Sequence, residues 1–268
     1  MSKQSAIDLV NRFAAQPSAG VWPNVNQTAL ASGLVNRIND PNLIDQGGTP
    51  LCGPASLVRS LALDNPDAYA QVAIDLYNRG AATLGSLRVA AGAQVRQASR
   101  PVSTPDADWL ILSSIRDSEN WFFSVGGLLG NSLAGITTAG ALQRWLSQTG
   151  YTNIREAVHY AAKPLASVLC LEAQTASRLV GEGFRVMLLI DSDMLYTSNQ
   201  GDMVSMYPDH WITLTSAISG IEGVDYNVPV SFSAYTWGGR RSVPENSSSP
   251  LSKRNFLHKY YGYVAARF

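Results

Sequence analysis

Apolar residues recur at helical spacing through most of the first half of the chain. Ile7, Val10 and Phe13 form one stripe, and Leu30, Leu34 and Ile38 form another. After Pro54, residues Leu57, Val58, Leu61 and Leu63 continue the pattern. A further helix is expected from Asn65-Pro66, with Tyr69, Val72, Ala73, Leu76 and Tyr77 inward and Gly80 closing it. Thr104-Pro105 reads as a helix start with Trp109, Leu112 and Ile115 on one face. Thr138 likewise precedes a helix carrying Leu142, Trp145 and Leu146, stopped near Gly150.

The second half changes character. A helix across Leu165 to Val180 ends at Gly181 and Gly183, and the apolar run Phe184 to Ile190 predicts a buried strand. His210 to Ile218 and Val228 to Trp237 alternate and predict two more strands, with Ile221-Glu222-Gly223 in the turn between them. Ser242 to Lys253, with two prolines and a serine run, reads as a surface loop, and Tyr260 to Phe268 as a final strand. Helices first and strands later predict an α+β fold, a helical half packed on an antiparallel sheet. There is no internal repeat, and residues 1–268 are read as a single domain with a helical subdomain to about 183 and a sheet subdomain from 184.

Composition narrows the function. With 46% hydrophobic residues over 268 positions, the chain can bury a substantial core and is not disordered. Twenty Lys and Arg balance twenty Asp and Glu, so no basic surplus points to nucleic acid or an anionic membrane as partner. The start lacks a basic region followed by an apolar run, so synthesis in the cytoplasm without a signal peptide is expected. Trp121 to Leu142 carries no charge and is long enough to span a bilayer. Its five glycines and several hydroxyls instead predict a glycine-rich loop, with a membrane-active segment as the alternative.

Two cysteines and three histidines leave nucleophilic chemistry few homes. In Asp45-Gln46-Gly47-Gly48-Thr49-Pro50-Leu51-Cys52-Gly53-Pro54, a tight loop feeds directly into a helix. Cys52 falls at the helix N-terminus, where unpaired amides and the macrodipole favour a thiolate. Gly53 would let a substrate approach the backbone, and Pro54 suits a first helical turn. Gln46, six residues upstream, can fold its amide back beside the sulfur and with the Cys52 N–H bind an oxyanion. The plainer alternative makes Cys52 a small buried hydrophobe, the role also expected of Cys170.

A thiolate needs a base. His210 opens a strand, and hairpin pairing sets the Tyr235 to Trp237 region beside its imidazole; it is preferred over His258 and His159. Gln46, Cys52 and His210 followed by Trp237-Gly238 resemble papain-like cysteine peptidases in order and spacing. Asp45-Gln46 through Cys52-Gly53-Pro54-Ala55 also resembles the bacteriocin-processing peptidase domains of ABC exporters. The resemblance implies Gln46 as oxyanion donor, Cys52 as nucleophile and His210 as base. Papain-like enzymes place an Asn two residues before that Trp, where this chain has Tyr235. Tyr235 is therefore a candidate orienter of the histidine, with Thr236, Ser233 or Asp225 as alternatives, or a dyad with none.

Leu51 to Ser56, Asp108-Trp109 with Arg116 to Asn120, and Thr137-Thr138 through Thr149-Gly150-Tyr151 resemble papain-like toxin effectors of Gram-negative bacteria, delivered by contact-dependent systems such as type VI secretion. That resemblance implies an antibacterial toxin acting on a protein or peptide substrate, paired with a cognate immunity protein. The same machinery can deamidate glutamine or cut peptidoglycan cross-peptides. Other classes in view are a non-catalytic papain-like binding module and a membrane-perturbing toxin acting through 121–142. Asp191, Asp193 and Asp202 lack the glycine and closing glutamate of an EF-hand, so they read as a solvated loop rather than a Ca²⁺ site. Arg240-Arg241 reads as solvated. No nucleotide-binding glycine pattern occurs, and no cofactor or metal is expected.

Overall fold

The computed structural model describes residues 2–119, 136–160, 162–196, 207–245 and 250–268, and the chain divides into two compact units. The first holds Met1–Thr137 with Gln148–Gly150 and Trp237–Gly239; the second holds Thr138–Ser147, Tyr151–Thr236 and Arg240–Phe268.

In the first unit, α1 (Lys3–Ala14) starts in a capping box between Ser2 and Ser5 and buries Ala6, Val10 and Phe13. Helix α2 (Gln27–Asn39), capped by Asn26, buries Leu30, Leu34 and Ile38 as expected. Helix α3 (Cys52–Asp64) is buried at every position from Cys52 to Ala62, which makes it the central helix of the unit. Leu63, expected on the apolar stripe, is exposed. Helix α4 (Pro66–Arg79) has Asn65 as cap, Pro66 in its first turn and Gly80 at φ 70° at its end. It covers α3 and α1 with the predicted Tyr69, Val72, Ala73, Leu76 and Tyr77. A hairpin then follows, β1 (Ala81–Leu84) antiparallel to β2 (Leu87–Ala90), and after it the short α5 (Ala93–Gln97). Helix α6 (Asp106–Glu119) presents Trp109, Leu112 and Ile115 to α3 and α4.

The second unit begins with α7 (Ala139–Gln148) and β3 (Thr152–Val158), followed by α8 (Ala166–Gly181) and β4 (Arg185–Ile190). After them come β5 (His210–Leu214), β6 (Pro229–Val230), β7 (Phe232–Thr236), β8 (Gly239–Val243), β9 (Leu251–Ser252), α9 (Lys253–Lys259) and β10 (Tyr260–Arg267). One sheet runs β3-β10-β4-β5-β7-β8, antiparallel from β3 through β7. The final strand β10 therefore lies inside the sheet, hydrogen-bonded to β3 on one side and β4 on the other. Central position explains why Val186 to Ile190 are all buried. Helix α8 packs on β10 and β4, so it belongs with the sheet although it precedes residue 184. The fold is mixed α and β, with helices in the first half and an antiparallel sheet at the C-terminus.

Several elements differ from expectation. The strand foreseen over Val228 to Trp237 breaks at Ser231, because Pro229-Val230 pairs with β9 while Phe232–Thr236 pairs with β5. β5 stops at Leu214, short of Ile218. The loop foreseen over Ser242 to Lys253 is strand at its start and helix at its end. Ser252 caps α9, and Lys253 is fully buried with Nζ donating to the Glu222 and Gly223 carbonyls. Among the described residues no helix is long and apolar enough to cross a membrane. Of the stretch 121–142, positions 121–135 lie outside the described residues, and Leu142 is buried on α7.

Candidate functional site

Cys52 is the first residue of α3, as expected, and is buried and not part of a disulfide. The loop before it is held by groups distant in sequence. Arg37 and Asp108 form a buried two-point ion pair, Nε to Oδ1 at 2.6 Å and Nη2 to Oδ2 at 2.5 Å, and Oδ2 also accepts the Asp45 N–H at 2.9 Å. Burial pushes the Asp108 carboxyl up to about 6, with Arg37 and the Asp45 N–H pulling the other way. Asp45 in turn accepts the Gly47 N–H at 2.8 Å, closing a turn in which Gly47 has φ 58°. The Gln46 carbonyl accepts from the Thr49 and Thr104 hydroxyls at 2.6 and 3.0 Å. Gly238 lies against the other side of this loop: a Cβ there would sit 2.8 Å from Asp45. The Trp237-Gly238 pair thus belongs to the wall of the Asp45 loop.

Gln46 is buried, and its amide nitrogen donates to the Thr49 carbonyl at 2.7 Å, within the loop. That bond fixes the side chain and uses one of the two N–H groups on the nitrogen. Gly53 has a different role from the one expected. A Cβ on it would lie 2.3 Å from Thr137 Oγ1, so the space beside its backbone is filled by a buried threonine rather than open to substrate. Gly53→Val should therefore lose about 1–3 kcal/mol by overpacking, measured by urea unfolding. Thr137→Gly in the same chain should recover part of that loss. A Gly53→Val protein as stable as the wild type would contradict this packing.

Arg116, near the end of α6, interacts electrostatically with Cys52. Burial pushes the Arg116 guanidinium down, while the charges of Cys52 and Glu119 act to keep it protonated. The interaction is mutual: a cation that is favoured by a thiolate favours that thiolate over the thiol. Sequence reading placed Arg116 within a resembling stretch without giving it a role, because nothing in its spacing connects it to a cysteine on another helix.

His210, in the second unit, is the first residue of β5 and is buried. Its Nε2 lies 2.6 Å from Thr236 Oγ1 on β7. Burial lowers its pKa to about 3, so the ring is neutral at ordinary pH. The pairing of Thr213 with Tyr235 and Leu214 with Ala234 explains the choice of partner. Continued by one residue, it sets Thr236 opposite Ile212 and therefore on the same sheet face as His210. Tyr235 falls on the face of Thr213. Hairpin pairing thus sets the 235–237 region beside the imidazole as expected, and Thr236, one of the alternatives to Tyr235, contacts the ring.

The other candidates are occupied differently. His159 Nε2 lies 3.0 Å from Glu172 Oε2, and His258 is exposed on α9. Cys170 donates to the Ile221 carbonyl at 3.2 Å inside the core, the structural role expected of it. Asp191 accepts the Asp193 N–H, and Asp209 accepts the Ser192 N–H and hydroxyl, so these carboxylates cap a turn. Asp202 lies outside the described residues. Among the described residues, no group of three or more His, Cys, Asp or Glu is placed to hold a metal ion. No family model and no curated protein matches the chain.

Proposed function

We propose that the protein is a cysteine hydrolase of papain-like type, acting on an amide or peptide bond. The observation that carries this reading is the thiol of Cys52 at the first position of a 13-residue helix, electrostatically coupled to Arg116. Both effects lower the cost of the thiolate. In the proposed reaction His210 takes the thiol proton and the Cys52 sulfur attacks the carbonyl carbon. The second N–H of Gln46 and the Cys52 N–H hold the resulting oxyanion. His210 returns its proton to the leaving amine as the C–N bond breaks. Water then attacks the thioester, giving the acid and restoring the thiol. A buried imidazole is a reluctant proton acceptor, and the negative charge of the thiolate is what makes the transfer favourable. Thr236 acts on the ring as a positioning residue, holding Nε2 so that Nδ1 carries the proton exchange.

In its biological setting this hydrolase would be an antibacterial effector, delivered into another cell and neutralised in the producer by an immunity protein. The support is the resemblance of the Cys52, Arg116 and Thr137-Thr138 stretches to such effectors.

Alkylation tests the chemistry directly. At pH 6.5, iodoacetamide followed by peptide mass spectrometry should label Cys52 at least about tenfold faster than Cys170, because only the thiolate reacts. Arg116→Gln should narrow the difference. Equal, slow labelling of both cysteines would instead select a non-catalytic binding module, the reading favoured by the low basicity of His210. New protein termini, or deamidated glutamines, in cells making the wild type but not Cys52→Ala would name the substrate.

A further inference from the structure

A groove of about 480 Å³ lies within the second unit, at the start of α8 and along α9. This volume is in the range of small-ligand sites. Lys163, Arg254 and His258 all line it, and no carboxylate does. The Arg254 and His258 side chains make no hydrogen bond or ion pair among the described residues, and both residues are exposed. Lys163 is half-buried; its Nζ donates to the His258 carbonyl and stands 3.6 Å above the centre of the Tyr261 ring. Neither contact neutralises the ammonium. Burial pushes Lys163 down to about 8, opposed by Asp191, which is not part of the lining. An anion arriving in the groove would relieve that cost.

The rest of the lining has the opposite character. Leu169 and Leu257 are buried beneath the groove, and Pro164 and Ala166 complete an apolar floor. Helix α8 begins at Ala166, one of the lining residues, and Leu165 provides no side-chain cap there. The lysine and arginine charges, the His258 ring and an aliphatic floor in one groove match a ligand with both an anionic and an apolar part. An inorganic ion would use the cations alone, and a neutral apolar molecule would leave them uncompensated.

We propose that this groove binds an organic anion, with a carboxylate or phosphate ester seated among Lys163, Arg254 and His258 and an apolar body lying on Leu169 and Leu257. The site shares no residue with the Cys52 loop and is independent of the hydrolase reading. The full-length Cys52→Ala protein, which cannot turn over a probe through its thiol, is titrated calorimetrically with 2-naphthyl phosphate, 2-naphthoate and inorganic phosphate. At least one aryl anion should bind about tenfold or more tighter than inorganic phosphate, the added affinity coming from the apolar body. Whichever of the two binds tighter identifies the head group. Arg254→Glu, at an exposed position, should weaken that binding about tenfold or more without changing the melting temperature. Ala166→Glu should do the same by placing a carboxylate in the groove. Absence of aryl-anion binding, equal affinity for inorganic phosphate, or wild-type affinity in both variants would overturn the proposal.

Discussion

Asp108→Ala is expected to unfold with about 3–5 kcal/mol less free energy than the wild type, because it leaves the buried Arg37 guanidinium without its carboxylate. Arg37 and Asp108 side chains are 7% and 1% exposed, so water cannot replace the lost partner. Removing both charges is a different experiment. Arg37→Met with Asp108→Leu fills the same space with apolar groups and should recover much of the loss, since two desolvation costs disappear together. Urea unfolding of the three proteins checks this. A single-variant loss below about 1 kcal/mol, or a double variant no better than the single, would contradict the role assigned to the pair. A second consequence is local. Asp108 also accepts the Asp45 N–H, so the double variant should regain stability while the loop before Cys52 stays loosened. Amide exchange at Asp45 and Gly47 should be faster in both variants, separating loop positioning from global stability.

The same pair shows where local sequence stops being informative. Helix α4 could be read residue by residue, since its cap, its proline, its apolar stripe and its terminal glycine all lie within one short segment. The position of Cys52 at a helix start was equally local, a loop of Gly, Gly, Thr and Pro running into Cys-Gly-Pro. β4 was legible because it is buried on both faces and therefore continuously apolar. β3 was not, because all of its residues are exposed or half-buried and no alternation marks it. The hairpin β1–β2 has strands of 4 residues each, too short for a period to register. Non-local facts were invisible for a simpler reason. Arg37 and Asp108 are separated by 71 positions, and no pattern within either helix announces the other. The choice of Thr236 over Tyr235 beside His210 depends on strand register, where a shift of one residue exchanges the faces. The insertion of β10 between β3 and β4 is likewise a property of topology. The placement of Cys52 where one loop meets a helix could be read directly; the groups that hold that loop had to be seen in three dimensions.

Acidification should expose the cost of burying His210. In the folded protein burial lowers its pKa from 6.5 to about 3. The unfolded chain therefore takes up a proton near pH 6.5 that the folded chain refuses until pH falls close to 3. Between those limits the unfolded state binds more protons, so stability rises with pH and is lost as pH falls. Above pH 6.5 both states are neutral and the group has no effect. At about 1.4 kcal/mol per pH unit, the loss attributable to His210 should be about 2 kcal/mol at pH 5 and about 3 at pH 4. Burial raises the pKa of Asp108 and Asp191, and raised carboxylates act in the opposite sense, favouring the folded state as they protonate. The wild-type curve is thus a sum, and the informative quantity is its difference from His210→Asn, which keeps a polar group near Thr236 but does not titrate. Unfolding free energies at pH 7, 6, 5 and 4 should show the wild type losing about 2 kcal/mol more than the variant by pH 5 and about 3 more by pH 4, whatever their difference at neutral pH, because the variant has no histidine at this position to take up a proton on unfolding. Parallel curves from pH 7 to 4 would mean that His210 takes up its proton normally in the folded state. The neutral, buried ring held by Thr236 would then be wrong, and with it the resting state from which the proposed proton transfer starts.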